Sequence, residues 1–246
     1  MSRADIEPKP DFPYYNGEPV AIGAGGWLLI LAGVALGFAA LVSIPAAGFP
    51  AKLIPTALFV AIPLAALALV AGRHWTALFR SVGPKQVLQM IGFGILTVLV
   101  SAAVGLVVQS VFGANPNPII GELSTLSWPQ LFLTLLPTLP QLVGEELLTI
   151  LPFLALLWLA FQKLNLSRTT SVVVALVVSS LMFGAAHLPT YDWNWAQALG
   201  IIGSARVVLT LAYIWTRNLW VSAGAHIIND WSEFIFVYAI SDTAAG

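Results

Sequence analysis

Two adjacent carboxylates, Glu145 and Glu146, stand in the middle of an apolar stretch that runs over residues 131–161. An ionised side chain at the centre of a bilayer costs at least ~2.5–3.5 kcal/mol on insertion scales, so a pair of them marks a functional site. Pro137, Pro140 and Gly144 can break a helix here, which would instead let both glutamates reach water at a headgroup boundary. The other polar groups inside apolar stretches are few: His187, Arg206, His226, Asn229 and Asp230. Such residues supply a short menu of chemistry. A carboxylate or imidazole whose pKa is moved toward neutrality acts as a general base. The same groups can hold zinc through histidine nitrogen and carboxylate oxygen, leaving one position for a water whose pKa falls toward ~7. Glu145 or Glu146 with His187, His226 and Asp230 serves either arrangement. There is no HExxH helix, no GxGD pair and no serine nucleophile motif with a partner histidine.

These groups come from different apolar segments, so helices must carry them to one point. Of the 246 residues 59% are hydrophobic and 9% charged, with mean hydropathy +0.89. A soluble domain carries about 25% charged residues, so the composition predicts an integral membrane protein. Only helices or closed barrels satisfy their backbone in lipid, and the long apolar runs select helices. The expected fold is an all-α polytopic transmembrane bundle of about seven to eight spans. Spans are predicted near residues 21–44, 53–72, 87–112, a fourth from about Pro129 carrying the glutamates, then 171–187, 196–216 and 219–240. Arg73, Arg80 and Lys85, then Lys163 and Arg168, mark the connections expected on the cytoplasmic side. This places the N-terminus inside and the C-terminus outside. Residues 1–20, with Arg3 and Lys9 against Asp5, Glu7, Asp11 and Glu18, read as a short polar tail. Residues 21–128 read as transmembrane scaffold and 129–240 as the core. A net charge of -1 excludes nucleic-acid binding through a broad basic surface, and the absence of cysteine excludes disulfides and thiolate chemistry.

Residues four apart on a helix share a face, which pairs Phe183 with His187 and His226 with Asp230. The order Glu145-Glu146, then Phe183-Gly184-Ala185-Ala186-His187, then Thr216-Arg217-Asn218-Leu219-Trp220 leading to Ala225-His226-Ile227-Ile228-Asn229-Asp230, resembles the CPBP family. These are the CAAX-processing and bacteriocin-processing intramembrane proteases, also called Abi. Their pattern is EExxxR, FxxxH and HxxxN or HxxxD on separate transmembrane helices, and the resemblance covers about residues 131–230.

The resemblance implies a membrane-embedded endopeptidase acting on a peptide or protein substrate at the bilayer, with residues 129–240 as catalytic core. It makes Glu145, Glu146 and His187 the catalytic set, with Glu145 activating water with help from His187. His226 and Asp230 would stabilise an oxyanion or, with His187, hold a metal. The resemblance leaves zinc and a metal-free glutamate/histidine pair both open. Short connections suit a prokaryotic inner membrane.

One departure stands out. The arginine of EExxxR falls at Ile150. Arg206, alone inside the sixth span, is the candidate to supply that charge from another helix. The competing function is a non-catalytic membrane scaffold or regulator that keeps the protease fold. A proton-coupled transporter is a third reading, and no inverted repeat supports it. The span limits also put His187 some ~25 Å from the depth of Glu145 and His226, at about 1.5 Å per residue. A re-entrant or extra short helix within residues 152–168, changing the direction of the later spans, is the expected remedy.

Overall fold

The computed structural model describes residues 11–123 and 126–245. Arg3, Asp5, Glu7 and Lys9 of the expected tail lie outside the described residues. Among the described residues there are nine α-helices and no strand. They are α1 (Ala24–Ser43), α2 (Leu53–Ala71), α3 (Pro84–Phe112), α4 (Pro118–Leu123), α5 (Trp128–Leu135), α6 (Thr138–Trp158), α7 (Arg168–Ala186), α8 (Gly203–Thr216) and α9 (Leu219–Ala245). Among the described residues six helical stretches are long and apolar enough to cross a membrane, and the chain is an integral membrane protein with an all-α bundle fold. The seventh long helix, α9, carries His226, Asn229, Asp230 and Glu233 and packs along α3.

The outer helices turn apolar side chains outward. Leu28 and Leu36 on α1, and Leu99 and Leu106 on α3, are exposed, as lipid-facing residues should be. α1 lies close on α2 because Gly33 admits it: a Cβ there would stand 2.5 Å from that of Ala66. α6 is different. It is buried nearly all round, with Leu147, Ile150, Leu151, Phe153 and Leu154 fully inside, and it touches α1, α2, α7 and α9. A helix apolar on every face belongs at the centre of a bundle, and that is where the two glutamates sit.

Part of the expected polar tail is core. Phe12, Tyr14 and Tyr15 are buried, Phe12 against Phe153 and Tyr15 against Phe161, and the Tyr14 hydroxyl donates to the His74 carbonyl at 2.7 Å.

The depth conflict resolves at a place other than the expected one. Residues 152–168 hold no additional crossing: α6 runs through Pro152, closes in a π-helical turn at Leu159–Lys163, and α7 returns antiparallel from Arg168. The break lies earlier, at Leu136 and Pro137, which separate α5 from α6. Pro140 falls in the first turn of α6, where a missing N–H costs nothing. Glu145 therefore stands two turns from the start of α6, at the end of the bundle where α7 finishes in His187.

Candidate active site

Four helices meet around Phe183. α6 contributes Glu145 and Glu146, the end of α7 contributes Phe183 and His187, α8 contributes Arg206, and α9 contributes His226, Asn229 and Asp230. Gly144 sets the position of α6, because the ring of Phe59 lies where a Cβ would be. At the start of α6 the Thr138 hydroxyl accepts from the Trp231 indole at 2.9 Å, which fixes α9 beside it.

The two glutamates have different surroundings. Glu146 is fully buried. Its Oε1 takes the Nη2 of Arg206 at 2.7 Å and the Nδ1 of His226 at 2.9 Å. Arg206 is equally buried and its guanidinium lies over the Phe183 ring, 4.9 Å from the centroid. The contact with Glu146 is close enough for an ion pair but lacks the alignment of a hydrogen bond. Glu145 retains some exposure and accepts a hydrogen bond from Gln141 Nε2 at 3.0 Å.

A buried carboxylate only accepts, so His226 donates from Nδ1 to Glu146 and turns Nε2 the other way. That nitrogen faces Glu145 Oε2 at 3.7 Å and Asp230 Oδ1 at 3.6 Å. Asp230 is in turn held by Asn229 Nδ2 at 3.0 Å. The same logic fixes His187. Its Nδ1 lies 2.9 Å from the carbonyl of Phe183, which can only accept, so the Nε2 lone pair is left open. The Phe183 ring separates the histidines, at 4.6 Å from His187 and 6.3 Å from His226 between centroids.

The structure thus gathers Glu145, Glu146, His226 and Asp230 in direct contact and sets His187 at their edge. The cation anticipated from another helix is in place: Arg206 meets Glu146, while Ile150 is buried in the apolar core. The expected zinc set, His187, His226 and Asp230, does not close. Among the described residues no three His, Asp or Glu side chains stand at metal-holding spacing. His226 spends one nitrogen on Glu146, and His187 spends one on its own helix.

Two contributors and one placement escape the motif reading. Gln141 lies one turn before Glu145 on the same face, a spacing visible in the sequence. Phe183, already named by the FxxxH spacing, also lies between Arg206, His187 and His226, a placement that only the packing reveals. Tyr191, buried beyond the end of α7, has its phenol pushed up to about 12 by burial and then by the charges of Asp230, Glu233 and Glu145.

Residues 127–232 match the family model described as type II CAAX prenyl endopeptidase Rce1-like. No curated protein and no solved structure gives a significant match. The matched stretch runs from the cap of α5 into α9 and so contains every one of the gathered residues. This core, residues 127–232, is thus similar to the Rce1-like type II CAAX prenyl endopeptidases, in agreement with the resemblance to the CPBP family.

Proposed function

We propose that the chain is an intramembrane endopeptidase that hydrolyses a peptide bond of a peptide or protein at the membrane, with Glu145 as general base. The observation that carries this is the chain of contacts Arg206–Glu146–His226, which aims His226 Nε2 at Glu145 and Asp230. Glu146, buried and doubly engaged, is the positioning carboxylate. Glu145, with a free edge, takes the proton of a water as the water oxygen bonds to the scissile carbonyl carbon. His187 accepts a hydrogen bond at its open Nε2 from the second O–H of that water, which stays on the oxygen. The carbonyl electron pair moves onto oxygen, and the protonated form of His226, donating from Nε2, stabilises the charge that develops there. Collapse of the intermediate breaks the C–N bond, and the leaving amine takes its proton from Glu145. Asp230 completes the carboxylate face that keeps His226 in its donating form. Short connections between spans support a prokaryotic inner membrane as the location.

The loss of the arginine at Ile150 would favour a non-catalytic scaffold, but Arg206 provides a cation on the same carboxylate. The test is cleavage of a quenched fluorescent CAAX-type peptide by the detergent-purified protein. General-base removal costs about 10²–10⁴ in rate, so Glu145→Gln should cut turnover by that factor while the protein stays monodisperse. Full turnover by Glu145→Gln would end the assignment. Elemental mass spectrometry of wild type, His187→Ala and His226→Ala decides the metal: about one zinc per chain, lost in both variants, would replace this mechanism with a zinc-bound water.

A further inference from the structure

A second polar recess, of about 1030 Å³, opens at the opposite end of the bundle from His187, and it contains no residue of the active site. Among the described residues, Arg80, Lys85, Arg168 and Arg217 line it, against one carboxylate, Asp11. Asp11 is already taken by Arg168. Among the described residues no carboxylate lies within ion-pair distance of Arg80, Lys85 or Arg217. The Arg217 guanidinium lies over Phe12, 3.7 Å from the ring centroid, and its Nε is buried with no hydrogen-bond partner among the described residues. Burial holds both Arg80 and Arg217 below the usual guanidinium pKa, the direction expected of cations short of counter-charge.

The wall of this recess is built before any ligand arrives. Asn218, itself buried, receives the Arg80 backbone N–H at 3.1 Å and donates to the carbonyls of Arg80 and Ser81 at 3.3 Å each. One side chain thereby ties the connection before α3 to the connection between α8 and α9, and holds Arg80 and Arg217 on one frame. Arg217 sits in the left-handed region at φ 55, where a residue other than glycine stays only if its surroundings hold it. Preorganised cations lose little entropy on binding an anion. Depth points to the kind of anion. Trp215, on the rim, and Trp220 beside it are exposed, the placement of indoles at a headgroup boundary.

We propose that this recess binds the phosphate of an anionic phospholipid headgroup, through Arg80, Lys85 and Arg217. The lipid docks the basic end of the bundle against the membrane surface and braces the α8–α9 connection, from which α9 carries His226. The inference is independent of the peptidase reading.

The test uses the full chain in neutral detergent, with native mass spectrometry and thermal unfolding as readouts. The probes are short-chain phosphatidylglycerol, short-chain phosphatidylcholine and inorganic phosphate. Phosphatidylglycerol should stay bound to the wild type and raise its melting temperature, with phosphatidylcholine and inorganic phosphate much weaker. Each cation removed near an anionic surface should weaken binding about fivefold, so Arg80→Gln with Arg217→Gln should lose about 25-fold. Lys163→Gln, which changes a basic residue of the same end that does not line the recess, should leave binding unchanged. Lys85→Gln alters an exposed side chain at the start of α3 and keeps the test decisive if the arginine pair fails to fold. Equal retention of phosphatidylcholine, or unchanged binding in the lysine and arginine variants, overturns the proposal. Inorganic phosphate binding as tightly as phosphatidylglycerol would assign the recess to a free phosphate and overturn the lipid.

Discussion

Among the described residues are two arginine–carboxylate pairs that differ in almost every respect except chemistry. Arg168 grips Asp11 with two nitrogens at one end of the bundle, and the side chains are 44% and 36% exposed. Arg206 meets Glu146 through one nitrogen, with both side chains at 0%. The exposed pair has the better hydrogen-bond geometry, yet water and salt compete for it, and such pairs contribute about 0–1 kcal/mol. The buried pair is poorly aligned, and Nε and Nη1 of Arg206 find no hydrogen-bond partner among the described residues. Replacing a buried pair by apolar residues is often neutral or stabilising, so fold stability does not account for it. Its third member does: Glu146 also takes His226 Nδ1, and the pair orients an imidazole.

The largest expected effect comes from removing one buried partner. Arg206→Met leaves Glu146 charged without its cation, a change that costs about 3–5 kcal/mol. Chemical unfolding in detergent should show that loss, and peptide cleavage should fall with it. Exchanging the two, Arg206→Glu with Glu146→Arg, should recover most of the stability and none of the activity, because His226 Nδ1 would then face a guanidinium. Recovery of both would mean that Glu146 does not position His226. A smaller, more informative effect is expected from returning the cation to α6. Ile150 lies one turn after Glu146 on the same face, so Ile150→Arg should restore part of the stability and turnover of Arg206→Met. In the wild-type background the same change buries a second, unneeded charge in the apolar core and should destabilise.

The contrast also explains which features are legible in the sequence. A charge inside an apolar run is conspicuous, so Glu145, Glu146, Arg206, His226 and Asp230 stand out from their chain neighbours by residue type alone, and the FxxxH spacing adds His187. The boundary that sets their depth does not stand out. Pro137, Pro140 and Pro152 look alike in the sequence, yet only Pro137 separates two helices, Pro140 sits where its missing N–H is free, and α6 runs through Pro152. Tertiary packing decides among them. The start of the chain misleads for the opposite reason. Its charges suggest a solvated tail, while the aromatic side chains of Phe12, Tyr14 and Tyr15 are buried, two of them against α6 and the turn that closes it, through contacts that nothing local predicts.

The smallest effect belongs to the exposed pair, and its sign distinguishes it from the buried one. Burial pushes the Asp11 carboxyl up, but hydrogen bonds from Arg168, Tyr15 and the Phe12 backbone outweigh it and hold the pKa at about 2, below the ordinary 3.8. A carboxylate depressed in the folded state stabilises the fold fully above its unfolded pKa and loses that contribution as pH falls through the folded one. Unfolding midpoints of the wild type should therefore drop between about pH 4 and pH 2, by an amount worth no more than ~1 kcal/mol once solvent screening is allowed for. Asp11→Asn should lower stability at pH 7 by that amount and leave the acid limb flatter. Raising the salt should shrink the difference, since a pair this exposed lies within reach of counter-ions. The cost of Arg206→Met, with no water or salt at the pair, should stay the same in high salt. If both respond alike, the two pairs are not the different devices that their burial indicates.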